Sequence, residues 1–287
     1  MTRPLTNSRF QEEILRIMDS KHHWAWPSFA DGTVTINQLK RHFQQEYGVY
    51  VRDFPVLLAR IHGKNPPLAV RRMLAENIYE EDTGGLSLGK SHPEQFLAMM
   101  AGLGLPSHMF DKITLLPAAR RYRAWLDRAS NHRNWVVGAA VLTVFVEGSI
   151  KDRNELSEPS KPKTAEEIES IIQQHPMVKH YGLSPDAMDL IRAHQMVEAG
   201  HRHDAYNMVV NYANTRALQQ TVLSSLKTCL KLWTAYRDGV ARACGLRKSY
   251  SVTTWWSCPS PSCRCHQLST VCAQFLGPGR HGAGPRR

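Results

Sequence analysis

Apolar residues recur every three or four positions through most of this chain, and the strict alternation of a half-buried strand is almost absent. The pattern predicts a first helix over about residues 8–20, built on the run Phe10-Gln-Glu-Glu-Ile-Leu-Arg-Ile-Met. A long helix follows from about Ile36 to His62, with Ile36, Leu39, Phe43, Tyr47, Tyr50, Phe54, Leu58 and Ile61 on one stripe. Pro55 marks the point where it would kink. A third helix runs from Pro66 to about Asp82 on the stripe Val70, Met73, Leu74, Asn77, Ile78. The next opens at Ser91-His-Pro-Glu94, a capping box with proline in the first turn. Further helices are expected over about 115–130, 132–150, 164–174, 185–212 and 213–244. The Pro- and Ser-containing stretch between Asn154 and Thr164 reads as a polar loop. The sum is an all-α domain of about eight or nine helices over residues 1–248.

Beyond Lys248 the helical pattern stops. Residues 249–287 are rich in Cys, Pro, Gly and Ser, and from Ser251 onward contain no Lys, Asp or Glu, so a disordered tail is expected. The cysteines there, Cys258, Cys263, Cys265 and Cys272 with His266, match none of the usual paired spacings of a zinc site. The formal net charge of +11 raises nucleic acid as a partner, but the basic residues are scattered. Their densest cluster, Arg120-Arg121-Tyr-Arg123 beside Trp125, reads as a solvated helix face, and no nucleic-acid partner is expected. The longest apolar run, Trp135 to Val146, is too short to span a bilayer, and the opening residues lack the apolar core of a signal peptide. The expectation is a cytoplasmic protein with no membrane partner and no disulfides.

The candidate chemistry begins with His194, Glu198 and His201. Steps of four and seven residues at about 100° each bring the three side chains within roughly 60° of one helix face. Two imidazoles and a carboxylate form half of a metal site suited to iron or manganese; a solvated face that happens to carry His is the competing reading. Glu147 ends an apolar run that reads as a buried helix, where an isolated carboxylate costs several kcal/mol unless paired or metal-bound. Thr143, Val144 and Ala140, on the same face, are small enough to leave room for an ion or a substrate. On the third helix the position in register with the apolar stripe is Glu81, while Glu80 shares a face with Arg72 and Glu76 and reads as solvent-facing; Asp82 stays open, since helix ends shift by a residue or two. His92, at the capped start of the next helix, can return to Glu81 across a short loop. The combined set is Glu81, His92, Glu147, His194, Glu198 and His201. Helical bundles hold two irons with such sets, although the Glu-x-x-His pairs of ferritin-type proteins are not evident here.

The chain resembles the haem-oxygenase-like diiron oxidases and oxygenases, relatives of the pyrroloquinoline-quinone synthase and thiaminase II families. The resemblance rests on the stretches Phe43–Phe54, Glu76–Gly84, Ser91–Phe96, Val146–Gly148 and His180 through His201, and spans about residues 35–245. It implies a haem-oxygenase-like helical bundle that binds two Fe(II), with manganese as the alternative, and uses O2 to oxidise a small amine, amino-acid or acyl substrate. A homodimer is compatible with it. The family often has Asp where Glu198 stands, and the segment between Glu147 and His194 is long for the family.

On the inward stripe with Leu39 and Phe43, Glu46 and Tyr50 are candidates for a substrate contact or for support behind the ligands. Glu46 is read first as a salt-bridged acid. Arg52, Arg192 and Lys179 could hold a substrate carboxylate, but surface positions suit them better. Two other readings remain: a metal-free relative of the quinone-synthase or thiaminase kind, and a non-catalytic helical binding or regulatory protein.

Overall fold

The computed structural model describes residues 3–158, 161–197 and 201–248, with the side chain of His201 also outside the described set. The expected tail, 249–287, and the central Glu198 therefore lie outside the described residues. Every regular element among the described residues is helical.

In chain order the α-helices are α1 (Asn7–Met18), α2 (Trp26–Ala30), α3 (Ile36–Val49), α4 (Phe54–His62), α5 (Leu68–Thr83), α6 (His92–Gly102), α7 (Pro117–Ser130) and α8 (Trp135–Ala139). They continue with α9 (Asp152–Ser157), α10 (Ala165–Gln174), α11 (Pro176–Tyr181), α12 (Asp189–Val197), α13 (His201–Val210) and α14 (Arg216–Ala243). The count exceeds eight or nine because short helical pieces occupy connections that read as loops. α9, for instance, begins just before the expected polar segment and runs into it. Its start is fixed by the buried Asp152, whose carboxylate accepts from the Ser149 amide at 2.6 Å and the Tyr206 hydroxyl at 2.9 Å.

The long helix expected over 36–62 is two helices. α3 ends at Val49, Tyr50 departs from helical geometry at φ −148°, and a short tight turn over Val51–Asp53 leads into α4. Pro55 explains the break: in a helix interior it would clash with the carbonyl four residues back, but it is accepted in the first turn of a new helix, where it stands. The break turns Tyr50, Val51 and Phe54 towards one cavity.

The capping box forecast at Ser91 forms as expected. The Ser91 hydroxyl accepts from the Glu94 amide at 3.3 Å, and Glu94 accepts from the Ser91 amide at 2.9 Å. Upstream, α5 ends at Gly84, in the left-handed region at φ 61°, and a Cβ there would lie 2.2 Å from the Lys90 carbonyl oxygen. Only glycine allows the chain to close so tightly. This turn returns His92 to the end of α5.

The apolar run after Trp135 starts as α8 and then widens into a π-helical stretch, Ala140–Val146. The Glu147 amide bonds to the carbonyl five residues back, on Leu142, at 3.4 Å. The last carbonyls of a helix lack intrahelical partners, and this end is buried. Two cations supply them. Lys21 donates to the carbonyls of Phe145, Val146 and Gly148, and Arg202 to those of Thr143, at 3.1 Å, and Glu147, at 2.7 Å. Around this stretch α14 packs along α7 and against α1, α3 and α8, while α6 bridges α5 and α12.

Candidate metal centre

Four elements converge on one cavity: the end of α5, the start of α6, the end of the π-helical stretch and the middle of α12. Glu81, His92 and His194 are all buried, and one donor atom from each falls within 4.8 Å of the other two. The Nδ1 atom of His92 lies 3.1 Å from Glu81 Oε1 and 3.3 Å from His194 Nε2. The two imidazoles stand edge to face with centroids 4.7 Å apart. At bonds of about 2.1 Å, opposite ligands of one ion stand roughly 4.2 Å apart, so small side-chain movements bring all three onto a common cation. Asp82 is exposed, which leaves Glu81 as the α5 carboxylate at the cavity.

Glu80 corrects the expectation drawn from the sequence. It is buried rather than solvent-facing. Its carboxylate accepts from the Leu86 amide at 2.8 Å and from the Ser87 hydroxyl, and lies 3.2 Å from His92 Nε2. The turn at Gly84 folds back over the end of α5 and covers Glu80, which no helical periodicity could forecast. With Nε2 tied to Glu80, His92 presents Nδ1 to the cavity. A carboxylate on the remote nitrogen of a histidine is the usual support for a metal-binding imidazole.

The electrostatics favour a cation. Burial lowers the proton affinity of His92, but Glu81 and Glu80 outweigh it and raise its pKa to about 10. His194 shifts the other way: burial, then the charge on His92, push it well below its usual range. His194 is thus held as a neutral imidazole, the form that ligates a metal. Burial also lifts Glu147 to about 7, against the opposing pull of Arg202 and of Asn77. Glu147 lines the cavity beside the three donors, and its Oε1 accepts from Asn77 at 2.9 Å. It is half-buried, because it also borders a second, more polar cavity edged by Glu76, Thr143 and Asp204. The buried donor set, its anionic field and the braced imidazole fit a divalent ion with N/O ligands. Glu198 and the His201 side chain lie outside the described residues; the backbone of His201 begins α13.

The whole cavity has a volume of about 40 Å³, and the rest of its lining is apolar or aromatic: Tyr50, Val51, Phe54, Phe96, Val146 and Leu190. Among the described residues no Lys or Arg lines it. Arg52 instead pairs with Asp53 at 2.9 Å, Arg192 with Glu169 at 2.6 Å, and Lys179 with Gln174 at 2.7 Å. Arg123 of the basic cluster binds Asp53 and Asp127, while Arg120 and Arg121 are exposed. Glu46 lies behind the wall, buried in an ion pair with Arg237 and accepting from the hydroxyls of Tyr50 and Tyr236. It is the salt-bridged acid, and Tyr50 links it to the cavity. Reading the sequence missed Glu80, Asn77, Lys21 and Arg202. Only Asn77, a polar residue inside an apolar stripe, carried a signal.

Fold and site together define a helical protein with a buried carboxylate–histidine cluster. The family model described as "Iron-containing redox enzyme" matches residues 41–234, and the chain belongs to that family. Among solved structures it is similar to a TenA homolog from Pseudomonas syringae pv. tomato str. DC3000, with a TM-score of 0.61 and 12% identity over 81% of this chain and 93% of that one. At that identity the likeness establishes the fold. No curated protein sequence matches. Among the described residues no helix is long and apolar enough to cross a membrane.

Proposed function

We propose that this protein is a non-haem diiron oxidase or oxygenase that uses O2 to oxidise a small substrate in the cavity beside Glu81, His92 and His194. The observation that carries the reading is the convergence of those three buried donors, with Glu80 bracing His92 from behind. Glu81, His92, Glu147 and His194 would hold iron, joined by Glu198 and His201 to make a two-iron set. Iron held by these residues would supply the one-electron chemistry that activates O2.

The protein's own part is to position and to exclude. Glu80 fixes the orientation of His92, and Asn77 fixes one oxygen of Glu147. Lys21 and Arg202 hold the backbone that presents Glu147. Phe54, Phe96, Val146 and Leu190 keep bulk water from the reacting centre, where fixed charges then act at low dielectric. With no Lys or Arg among the described lining residues, a substrate is held by apolar contact, and its polar group faces the metal ligands. Chelation separates this reading from metal-free chemistry: activity and O2 uptake should vanish with the metal and return with Fe(II). Full activity in thoroughly chelated protein would support a metal-free enzyme instead.

A further inference from the structure

One wall of the cavity leads into a file of oxidisable side chains that the proposed chemistry does not use. It begins at Tyr50, which lines the cavity and donates its hydroxyl proton to Glu46. Tyr236 donates to the other oxygen of the same carboxylate. The ring of Tyr236 stacks on Tyr122, with centroids 5.6 Å apart and planes 18° apart. The Tyr122 hydroxyl accepts from the Cys229 thiol at 3.9 Å. Tyr50, Tyr236, Tyr122 and Cys229 are all buried, and Trp125, one turn from Tyr122 on α7, is partly exposed beside Arg128.

We propose that Tyr50, Tyr236, Tyr122 and Trp125 form a relay that passes single electrons between the protein surface and the oxygen-activating cavity, with Glu46 as its proton acceptor. The proposal rests on the oxidase reading above. In the first step Tyr50 gives one electron to the O2-derived oxidant in the cavity and its phenolic proton to Glu46. Tyr236 then reduces the Tyr50 radical; Tyr50 takes its proton back from Glu46, which receives the proton of Tyr236. Trp125 then reduces the Tyr236 radical across the stacked Tyr122 ring, which keeps its phenolic proton, and Tyr236 takes its own proton back from Glu46. At the surface a soluble one-electron donor of the thiol or reduced-flavin class restores Trp125. Summed over the file, the donor loses one electron, the oxidant gains one, and every side chain and proton returns to its starting place.

The charges give the relay a direction. Arg237 donates to the Tyr50 hydroxyl at 2.8 Å and lies 4.6 Å from the Tyr236 ring. A cation beside a ring opposes loss of an electron from it, so an electron hole formed at Tyr50 is driven outward past Tyr236 and Tyr122 to Trp125. Burial raises the proton affinity of Glu46, which suits it to receive the phenolic proton. Structure alone would be served by one carboxylate per buried phenol; sharing one carboxylate between two phenols joins their proton chemistry.

The test mixes anaerobic Fe(II)-loaded protein with O2 in the absence of substrate, freezes samples at successive times and reads them by electron paramagnetic resonance. Oxidised side chains are then mapped by peptide mass spectrometry. The wild type should show a transient tyrosyl signal. Tyr50→Phe should abolish it and increase oxidation of Phe54, Phe96 and His92 several-fold. Trp125→Phe, outside the cavity and its ligands, should leave iron loading unchanged and lengthen the tyrosyl signal several-fold. Tyr236→Phe serves as a second break in the file should Tyr50→Phe fail to fold. Rapid O2 consumption without a tyrosyl signal, or a signal indifferent to Tyr50→Phe and Tyr236→Phe, would overturn the relay alone. Failure of the wild type to bind iron would overturn the oxidase reading and the relay with it.

Discussion

Glu80→Gln isolates the support behind His92 without touching a proposed ligand. The amide preserves the volume and one acceptor for the Leu86 amide or the Ser87 hydroxyl, but it replaces the charged oxygen 3.2 Å from His92 Nε2. Loss of such an outer partner typically costs 10–100-fold in metal affinity, or about 1.4–2.7 kcal/mol. At a metal concentration of about 100 times the wild-type dissociation constant, bound metal stabilises the wild type by about 2.7 kcal/mol. In the variant the same concentration is only about 10 down to 1 times the dissociation constant, and the increment falls to about 1.4–0.4 kcal/mol. Anaerobic calorimetric titration with Fe(II) or Co(II) reads the first number, and denaturant unfolding with and without metal reads the second. A variant with lower metal-free stability but an undiminished metal increment would refute the bracing role: Glu80 would then be only a fold residue.

Other consequences follow from the surroundings of the site. Arg202→Met leaves Asp152 buried without its nearby cation and the Thr143 and Glu147 carbonyls without a donor; a loss of about 3–5 kcal/mol is expected in urea unfolding, and a loss below about 1 kcal/mol would contradict it. Gly84→Ala places a Cβ against the Lys90 backbone at positive φ, so stability should fall by about 1–3 kcal/mol, and metal affinity should drop as His92 moves. His23, buried beside Asp238, has its pKa lowered by burial to about 4, against the opposing hydrogen bond from Asp238. The unfolded state therefore binds more protons between about pH 6.5 and 4, and His23 contributes about 3 kcal/mol that is present above pH 6.5 and lost as pH falls through that window. Unfolding midpoints of His23→Gln should show a flatter profile across this range than those of the wild type; parallel profiles would contradict the assignment.

Much of the helical architecture was legible in the sequence because amphipathic periodicity and capping chemistry are local. The Ser91 box and the inward register of Glu81 are read from neighbouring residues alone. The apolar run before Glu147 likewise announced a buried helix with a carboxylate at its end. The break at Tyr50 was missed because an apolar stripe continues through it, although Pro55 signalled a disturbance nearby. Glu80 escaped because its burial comes from a loop that doubles back over the helix, a tertiary event with no period. Lys21 and Arg202 escaped for a related reason: their partners are backbone carbonyls more than fifty residues away, and carbonyls carry no sequence signature.

The central claim is that Glu81, His92 and His194 bind catalytic iron. Anaerobic titration of the metal-free protein with Fe(II), followed by metal analysis and exposure to O2, tests it most directly. Two irons per chain should bind saturably and O2 should be consumed rapidly, with both lost in His194→Ala while its helix content is retained. Iron binding and O2 consumption that are absent in the wild type, or equal in wild type and His194→Ala, would contradict it.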